Sequence, residues 1–340
     1  MVVLGIDTSC DDCAAALVKD GKTILSSVIA SQNDAHAVFQ GVVPEIASRL
    51  HTEQMVPVYR KALDDAGLTE GAIDAIAVTA RPGLVGSLLV GLSFAKALAF
   101  SLRLPLWGVD HILAHLYAAQ LEAEIPYPYL GLLVSGGHTI LAKVTSFDEL
   151  EVLGTTVDDA VGEAFDKVAK FLGLGYPGGK AVDRLAQSGQ AEAFNFPRPQ
   201  LKPGRRPYDL SLSGLKTAVI HQRENFLRSG YDNSLPNVCA SFQKTVVDML
   251  LSLVKKAVKE TGISTVVLAG GVASNSSLRQ EFSRVKTLTA FYPSLPLCTD
   301  NGAMVAGLAY HHLQRGDRSS WELNAESRVP HFKAFQKSKT

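Results

Sequence analysis

The sequence has no excess of charge of either sign. Lys+Arg and Asp+Glu both number 33 in 340 residues. The chain as a whole therefore has no field that would attract a nucleic acid, and an RNA partner would need a local basic patch or a helper protein. One basic cluster occurs, and a solvated loop is its ordinary explanation: Arg198, Lys202, Arg205 and Arg206.

Cysteines are also scarce. Four in a chain of this length are too few for a disulfide framework. Cys10 and Cys13 have the spacing of metal ligands, but no second such pair exists. We interpret all four as reduced thiols of a cytoplasmic protein.

Several familiar motifs are missing. No GxGxxG follows the first predicted strand and no Walker sequence GxxxxGK[ST] occurs, which argues against a dinucleotide-binding fold and a P-loop. The N-terminus MVVLGIDTSC has no basic leader, so we expect no signal peptide. The longest apolar stretch, 83–100, is interrupted by Ser87, Ser93 and Lys96, and we predict a buried helix of an α/β core with no membrane span.

A strand–turn–strand pattern occurs twice. It appears in VVLGID followed by AAALV, and again in YLGLLVSGGHTILAKV at 129–144. Strands and helices alternate after each, which indicates a duplicated α/β fold. We predict a two-lobed, actin-like fold. The first lobe is 1–110, with a closing helix to about 125, the second lobe is 111–325, and 326–340 form a tail.

His111 and His115 are four residues apart in HILAHLYAAQLEA, which has helical periodicity. On a helix they share one face and could bind one zinc or iron ion. Two surface or capping histidines explain the spacing about as well. A zincin peptidase has Glu directly after the first His, whereas Ile112 follows here, so that class is disfavoured. A third ligand must come from elsewhere.

Glycine-rich loops follow the predicted strands. Besides the turn after Gly5, they are VSGGH at 134–138, GLGYPGGK at 173–180 and LAGGVASN at 268–275. Glycines let backbone N–H groups approach an anion, and nearby Asp166, Asp183 and Asn275 could accept from sugar hydroxyls. A tight turn explains each loop singly; together they predict a nucleotide-binding cleft.

In CTDNGAM at 298–304, Asp300 and Asn301 precede a predicted helix. Either residue could be an N-cap, and a carboxylate there could also bind a metal. The sequence leaves both roles open.

Taken in order, these motifs closely resemble the TsaD/Gcp family, the tRNA N6-adenosine threonylcarbamoyltransferases. Nine stretches between residue 4 and about residue 307 carry the resemblance: LGIDTSCDD, GVVPEIASRLH, ARPGLVGSLLVG, HILAHL, LLVSGGHT, GEAFDKVAKFLGLGYPGG, LSLSGLKTA, LAGGVASN and CTDNGAM.

The resemblance implies an ASKHA fold built from duplicated ribonuclease-H-like domains. It also implies transfer of a threonylcarbamoyl group from threonylcarbamoyl-AMP to N6 of adenosine 37 in tRNAs that read ANN codons. TsaB-like and TsaE-like partner proteins are expected, and no membrane.

The resemblance also implies site residues. One divalent metal ion, Fe2+ in preference to Zn2+, falls on His111, His115 and Asp300. No general base is assigned. Substrate-binding positions fall on Val134, Ser135, Gly136, Gly137, His138, Asp166, Gly179, Asp183 and Asn275.

Five positions depart from the family pattern. Asp7, Asp12 and Cys13 stand where relatives usually have Glu, Glu and Thr, and Arg81 and Lys180 replace a common Gly and Pro. None is a matched metal ligand, so the departures bear on fine substrate geometry.

Three other functions fit parts of the pattern. A small-molecule kinase of the same fold would leave the histidine pair without a role. A metal-dependent glycoprotease is disfavoured by Ile112. A non-catalytic scaffold like the partner paralogue would lack the metal motif.

Overall fold

The computed structural model describes residues 1–199, 201, 205–221 and 231–328, without the side chains of 231–233. These residues form two compact units. The first contains 1–125 and 293–328, and the second contains the described part of 126–292. These units differ in their bounds from the predicted lobes, and the division into lobes stays a prediction.

Each unit contains one five-stranded sheet, and the two sheets have the same topology. The orders are β3-β2-β1-β4-β5 and β8-β7-β6-β9-β10, with three antiparallel strands followed by two strands parallel to the central one. This repetition confirms the predicted duplication. The strands are β1 Val2–Asp7, β2 Asp12–Lys19, β3 Thr23–Ser31, β4 Ala75–Arg81, β5 Leu106–Asp110, β6 Tyr129–Val134, β7 Thr139–Val144, β8 Leu150–Thr155, β9 Thr265–Ala269 and β10 Thr289–Phe291.

Helices cover the sheets, and short 3-10 turns occur at Glu70–Ala72, Ala118–Leu121 and Gly271–Ser274. The described helices are α1 Asn33–Ala37, α2 Pro44–Ala66, α3 Val85–Leu102, α4 His111–Tyr117, α5 Val161–Phe171, α6 Gly178–Ala186, α7 Ser213–His221, α8 Tyr231–Thr261, α9 Ser276–Ser283, α10 Leu295–Cys298 and α11 Gly302–Gln314.

The first sheet buries large side chains on one face and small ones on the other. Leu4 and Ile6 of β1 belong to the apolar core that includes residues of α2 and α3. Gly5, between them, points the other way, where a Cβ atom would lie 2.1 Å from the carbonyl oxygen of Gly302. Helix α11 therefore packs directly on the backbone of β1, which explains why 302–314 belong to the first unit.

Helix α3 is the one described helix long and apolar enough to cross a membrane, judged by length and composition only. The interruptions at Ser87, Ser93 and Lys96 therefore do not exclude a span by themselves. Leu88 and Leu92 are buried, and the helix packs against α2 and β4. These contacts account for it as a core-facing helix of the α/β unit.

Helix α4 is shorter than the predicted helix reaching about residue 125. It ends at Tyr117 and continues as the 3-10 turn to Leu121. Gln120 then donates to the carbonyl of Ile125 and accepts from its N–H, at 3.0 and 3.1 Å. This side chain closes a local turn where further helix was expected.

The region predicted as a basic loop has no helix or strand in its described part. Arg198 forms an ion pair with Asp248 at 2.9 Å, and Lys202 lies outside the described residues. Residues 329–340 of the predicted tail also lie outside them. At the start of that tail, the N–H of Glu326 donates to the carbonyl of Ala80 at 2.9 Å.

Candidate functional site

The histidine pair is placed by the junction between β5 and α4. Asp110 ends the strand and caps the helix, accepting from the N–H groups of Ile112 and Leu113 at 2.9 and 3.3 Å. His111 and His115 follow on one helix face, with ring centroids 4.5 Å apart. Both are buried. They are therefore neither surface residues nor helix caps.

Asp300 faces this pair. Its neighbour Asn301 caps α11 by accepting from the N–H of Met304 at 2.9 Å, so Asp300 is not needed for capping. Oδ1 of Asp300 lies 3.0 Å from Nε2 of His115 and 3.6 Å from Nε2 of His111.

One ligand atom from each of His111, His115 and Asp300 lies within 4.8 Å of the others. Imidazole and carboxylate ligands in this number suit a divalent transition metal. Nδ1 of His115 is also buried, and no described residue forms a hydrogen bond with it. The side chains thus form a group that fits a metal ion, and it is the only such His/Cys/Asp/Glu cluster among the described residues.

Three strand ends bring a second set of polar groups to the same place. β1, β4 and β5 are parallel neighbours, so their carboxyl ends lie at one edge of the sheet. Oδ2 of Asp7 accepts from the hydroxyl of Thr79 at 2.6 Å and lies 3.1 Å from Nδ1 of His111. Ser9 hydrogen-bonds Oδ1 of Asp7 and lies 3.3 Å from Asp300.

Electrostatics in this cluster favour a cation. Burial lowers the pKa of His111, but the carboxylates of Asp300 and Asp7 outweigh it and raise this pKa to about 9. Burial, and then the charge of His111, lower the pKa of His115. Burial raises the pKa of Asp300, yet both histidines hold it well below its usual range. A proton on His111 thus balances the carboxylates, and a metal cation would replace it.

Besides Asp7, two more of the departures from the expected family pattern lie in this unit. Nε of Arg81 lies 3.5 Å from Asp110, the residue that caps the histidine helix. Cys13 is buried in β2 among the side chains of the core and is a free thiol, as are the other three cysteines.

The predicted substrate residues lie in the second unit, where Ser135 to His138 form the β6–β7 turn. The N–H of Ser135 donates to the carbonyl of His138, and the N–H of His138 donates to Oγ of Ser135. Gly136 and Gly137 are exposed at the tip, and a Cβ on either would meet nothing within 4 Å. No described residue accepts a hydrogen bond from their N–H groups.

The remaining predicted residues lie at, or form hydrogen bonds with, the first turns of helices. Oδ1 of Asp166 accepts from the N–H of Gly178 at 2.7 Å, which holds the first turn of α6 next to Gly179. Asp183, on α6, accepts from the N–H and hydroxyl of Ser276 at 3.2 and 2.7 Å.

Asn275 caps α9 through the N–H of Leu278 at 2.9 Å and donates to Gln243 at 2.8 Å. Val134 ends β6 beside Gly270, whose φ of 87° suits glycine. These contacts fix the loops, and the binding roles of the nine residues stay predictions.

Sequence reasoning missed the supporting roles of Asp7, Ser9 and Thr79. The sequence did contain an indication of these roles, because Asp7 ends a buried strand and Thr79 is a polar residue within another buried strand. Recognising it required the strand order, which places β1 beside β4 and β4 beside β5.

Comparisons with known proteins identify relatives along nearly the whole chain. A family model described as TsaD, tRNA N6-adenosine threonylcarbamoyltransferase, matches residues 23–307. A Treponema denticola protein of that name is 55% identical over 332 residues, 98% of each chain. One from Brachyspira hyodysenteriae is 50% identical over 340 residues, covering 100% of this chain and 99% of its own.

Solved structures with low sequence identity share the fold. Component A of the Acidaminococcus fermentans (R)-2-hydroxyglutaryl-CoA dehydratase has a TM-score of 0.56 at 16% identity, covering 92% of this chain and 99% of its own. Full-length HypF in its phosphate- and nucleotide-bound form has a TM-score of 0.59 at 17% identity, covering 94% and 47%. With the two equivalent sheets, they confirm the predicted ASKHA-type fold.

Proposed function

The chain belongs to the TsaD family of tRNA N6-adenosine threonylcarbamoyltransferases, and from that premise we propose the reaction that its residues carry out. The threonylcarbamoyl group passes from threonylcarbamoyl-AMP to N6 of adenosine 37 in tRNAs that read ANN codons. A bond forms between N6 and the carbamoyl carbon, the bond from that carbon to the phosphate oxygen breaks, and AMP and a proton leave. The near-full-length identity of 55% to a transferase of this name carries the proposal.

His111, His115 and Asp300 would hold one divalent cation, Fe2+ in preference to Zn2+. The donor set accepts either metal, and the preference for iron comes from the family resemblance. When bound, the ion supplies a Lewis acid that polarises a carbonyl and offsets negative charge on the donor. A kinase of this fold leaves the buried His-His-Asp group without a role.

Residues of the second unit would bind the nucleotide. Gly136 and Gly137 are exposed, and their N–H groups suit the adenylate phosphate, which gains charge as AMP departs. Asp166 and Asp183, already fixed by contacts to helix starts, suit ribose hydroxyls. An exocyclic amine is a weak nucleophile, so holding it next to the activated carbonyl is the main requirement.

The partners follow from the same proposal. TsaB-like and TsaE-like proteins would assist the chain, and the zero formal net charge supports a need for help in binding tRNA. A reaction on tRNA supports a location in the cytoplasm.

The direct test is nucleoside analysis of tRNA from cells depleted of this protein. We expect threonylcarbamoyladenosine to disappear, to return with the wild-type chain, and to stay absent with the His111→Ala/His115→Ala double variant. His221→Ala, an exposed histidine on α7, is the matched control and should restore it. Unchanged threonylcarbamoyladenosine after depletion would overturn the transferase proposal.

Metal content tests the ion site separately. Purified wild-type protein should contain about one equivalent of iron or zinc, and the double variant essentially none, because a lone carboxylate is a poor ligand set. Elemental analysis of both proteins and of His221→Ala checks this. Equal metal content in all three would refute the site.

A further inference from the structure

We propose that Asp7 is a positioning residue that fixes the tautomer of His111, so that the Nε2 atom presents its lone pair to the metal. This inference rests on the proposed metal site and adds a residue outside the His-His-Asp set.

The carboxylate of Asp7 is fully buried and surrounded by donors. Oδ1 accepts from the N–H and the hydroxyl of Ser9 at 2.9 and 2.6 Å. Oδ2 accepts from the hydroxyl of Thr79 at 2.6 Å and lies 3.1 Å from Nδ1 of His111. Asp7 ends β1 and Thr79 lies in β4, so the carboxylate cannot turn without breaking these hydrogen bonds.

A carboxylate is only an acceptor, so the atom facing Oδ2 must carry hydrogen. Nδ1 of His111 is therefore the protonated nitrogen of the neutral ring. The other nitrogen, Nε2, then has a free lone pair, and it is the atom that lies 3.6 Å from Asp300. Carboxylates that accept from the outer nitrogen of a ligand histidine orient the ring and raise its basicity.

An amide at this position would reverse the tautomer. In Asp7→Asn, the N–H of Ser9 can only donate, so the amide oxygen must stay on the Ser9 side. The amide NH2 then faces Thr79, whose hydroxyl can accept, and Nδ1 of His111. To accept from it, Nδ1 must lose its hydrogen, which moves to Nε2 and blocks the metal-facing lone pair.

The experiment uses the full chain, stripped of metal, with zinc as a redox-inert probe. Zinc affinity is measured by calorimetry for the wild type and Asp7→Asn. Long-range 15N–1H spectra of histidine-labelled, zinc-free protein at alkaline pH, where the imidazoles are neutral, report which nitrogen of His111 carries hydrogen. We expect about 10- to 100-fold weaker zinc binding in Asp7→Asn, together with a switch from the Nδ1–H to the Nε2–H form.

Two further variants make the result specific. Thr79→Val removes one donor to Oδ2 but keeps the carboxylate, so it should keep the Nδ1–H form. Asp74→Asn, at an exposed carboxylate that accepts from the N–H of Val2, makes the same chemical change away from the site and should bind zinc like the wild type. Thermal unfolding of each variant checks that it is folded.

The possible outcomes separate this inference from the metal site itself. If the wild type binds no zinc, the proposed metal site is wrong and this inference falls with it. If the wild type binds zinc and Asp7→Asn binds it equally well, the metal site stands and the role of Asp7 is overturned. Weaker binding with the Nδ1–H form retained would mean that Asp7 acts only through its charge, which also overturns the proposal.

Discussion

Asp12, at the start of β2, is a half-buried residue whose Oδ1 atom is buried. No described residue forms a hydrogen bond with its Oδ1 atom. Burial, followed by the negative charge of Asp300, raises its pKa from 3.8 to about 7. The folded state therefore binds this proton more tightly than the unfolded state. Its contribution to stability falls as the pH rises from 3.8 to about 7, and the penalty is complete above that range.

Replacing Asp12 with Asn should therefore stabilise the metal-free protein at high pH only. We expect Asp12→Asn to raise the free energy of unfolding by about 1–4 kcal/mol near pH 8 and to change it little near pH 4. Urea unfolding with a chelator present, at both pH values, measures this. Asp34→Asn, at an exposed carboxyl on α1, is the control and should have little effect at either pH. A gain for Asp12→Asn that is the same at both pH values would contradict the explanation.

For individual residues, the sequence predicts the candidate metal ligands better than it predicts the residues that position them. The spacing of His111 and His115 predicts a shared helix face, and the family resemblance supplies Asp300. Asp7 and Thr79 are not predictable in the same way, because they are 72 residues apart and meet only through the pairing of β1 with β4.

Helix α11 shows how the packing of one element places a candidate ligand. It begins at Gly302, where a Cβ atom would lie 2.5 Å from the carbonyl oxygen of Gly5 and 2.6 Å from the N–H nitrogen of Ala16. Both neighbours are sheet backbone, which cannot move aside cheaply. Asp300 lies two residues before this contact, so the close approach of helix and sheet sets its position.

Gly302→Ala should therefore weaken both the fold and the metal site. We expect a loss of about 1–3 kcal/mol in the free energy of unfolding, and weaker zinc binding because Asp300 is displaced from His111 and His115. Chemical denaturation and zinc calorimetry measure the two effects. Gly71→Ala is the matched control, since its Cβ would come no closer than 3.9 Å to Thr69. Equal behaviour of the two variants would show that the contact with β1 is unimportant.

Element types were more predictable than their lengths. The amphipathic pattern of VVDMLLSLVKKAVKE predicts a helix, and Leu250, Val254 and Ala257 form its buried face in α8. The end of α4 was not predictable from the helical pattern. The chain turns after the helix because the side chain of Gln120 hydrogen-bonds the backbone of Ile125, and the spacing of apolar residues does not indicate this contact.

For the whole molecule, the sequence predicts the duplicated fold but not which unit contains the C-terminal helix α11. The repeated strand–turn–strand units are local, so they predict two similar sheets. The membership of α11 in the first unit depends on contacts between residues about 300 apart, such as Gly5 with Gly302. Local sequence patterns contain no information about such a contact, so they do not predict which unit contains α11.

Because α11 packs on the first sheet, we expect the two units to differ in their ability to fold when each is expressed alone. Residues 126–292 contain all five strands of the second sheet, so this fragment should fold and unfold cooperatively in urea. Residues 1–125 contain the whole first sheet but lack α11, whose residues 302–309 are all buried, so one face of the sheet would be exposed to water.

We expect the fragment 1–125 to aggregate or to lack a cooperative transition, and co-expression with 293–340 to restore one, together with zinc binding through the returned Asp300. Circular dichroism during urea unfolding, with zinc calorimetry on the restored pair, measures this. A cooperative transition of 1–125 alone, as sharp as that of the restored pair, would show that α11 covers the sheet without being needed to form it.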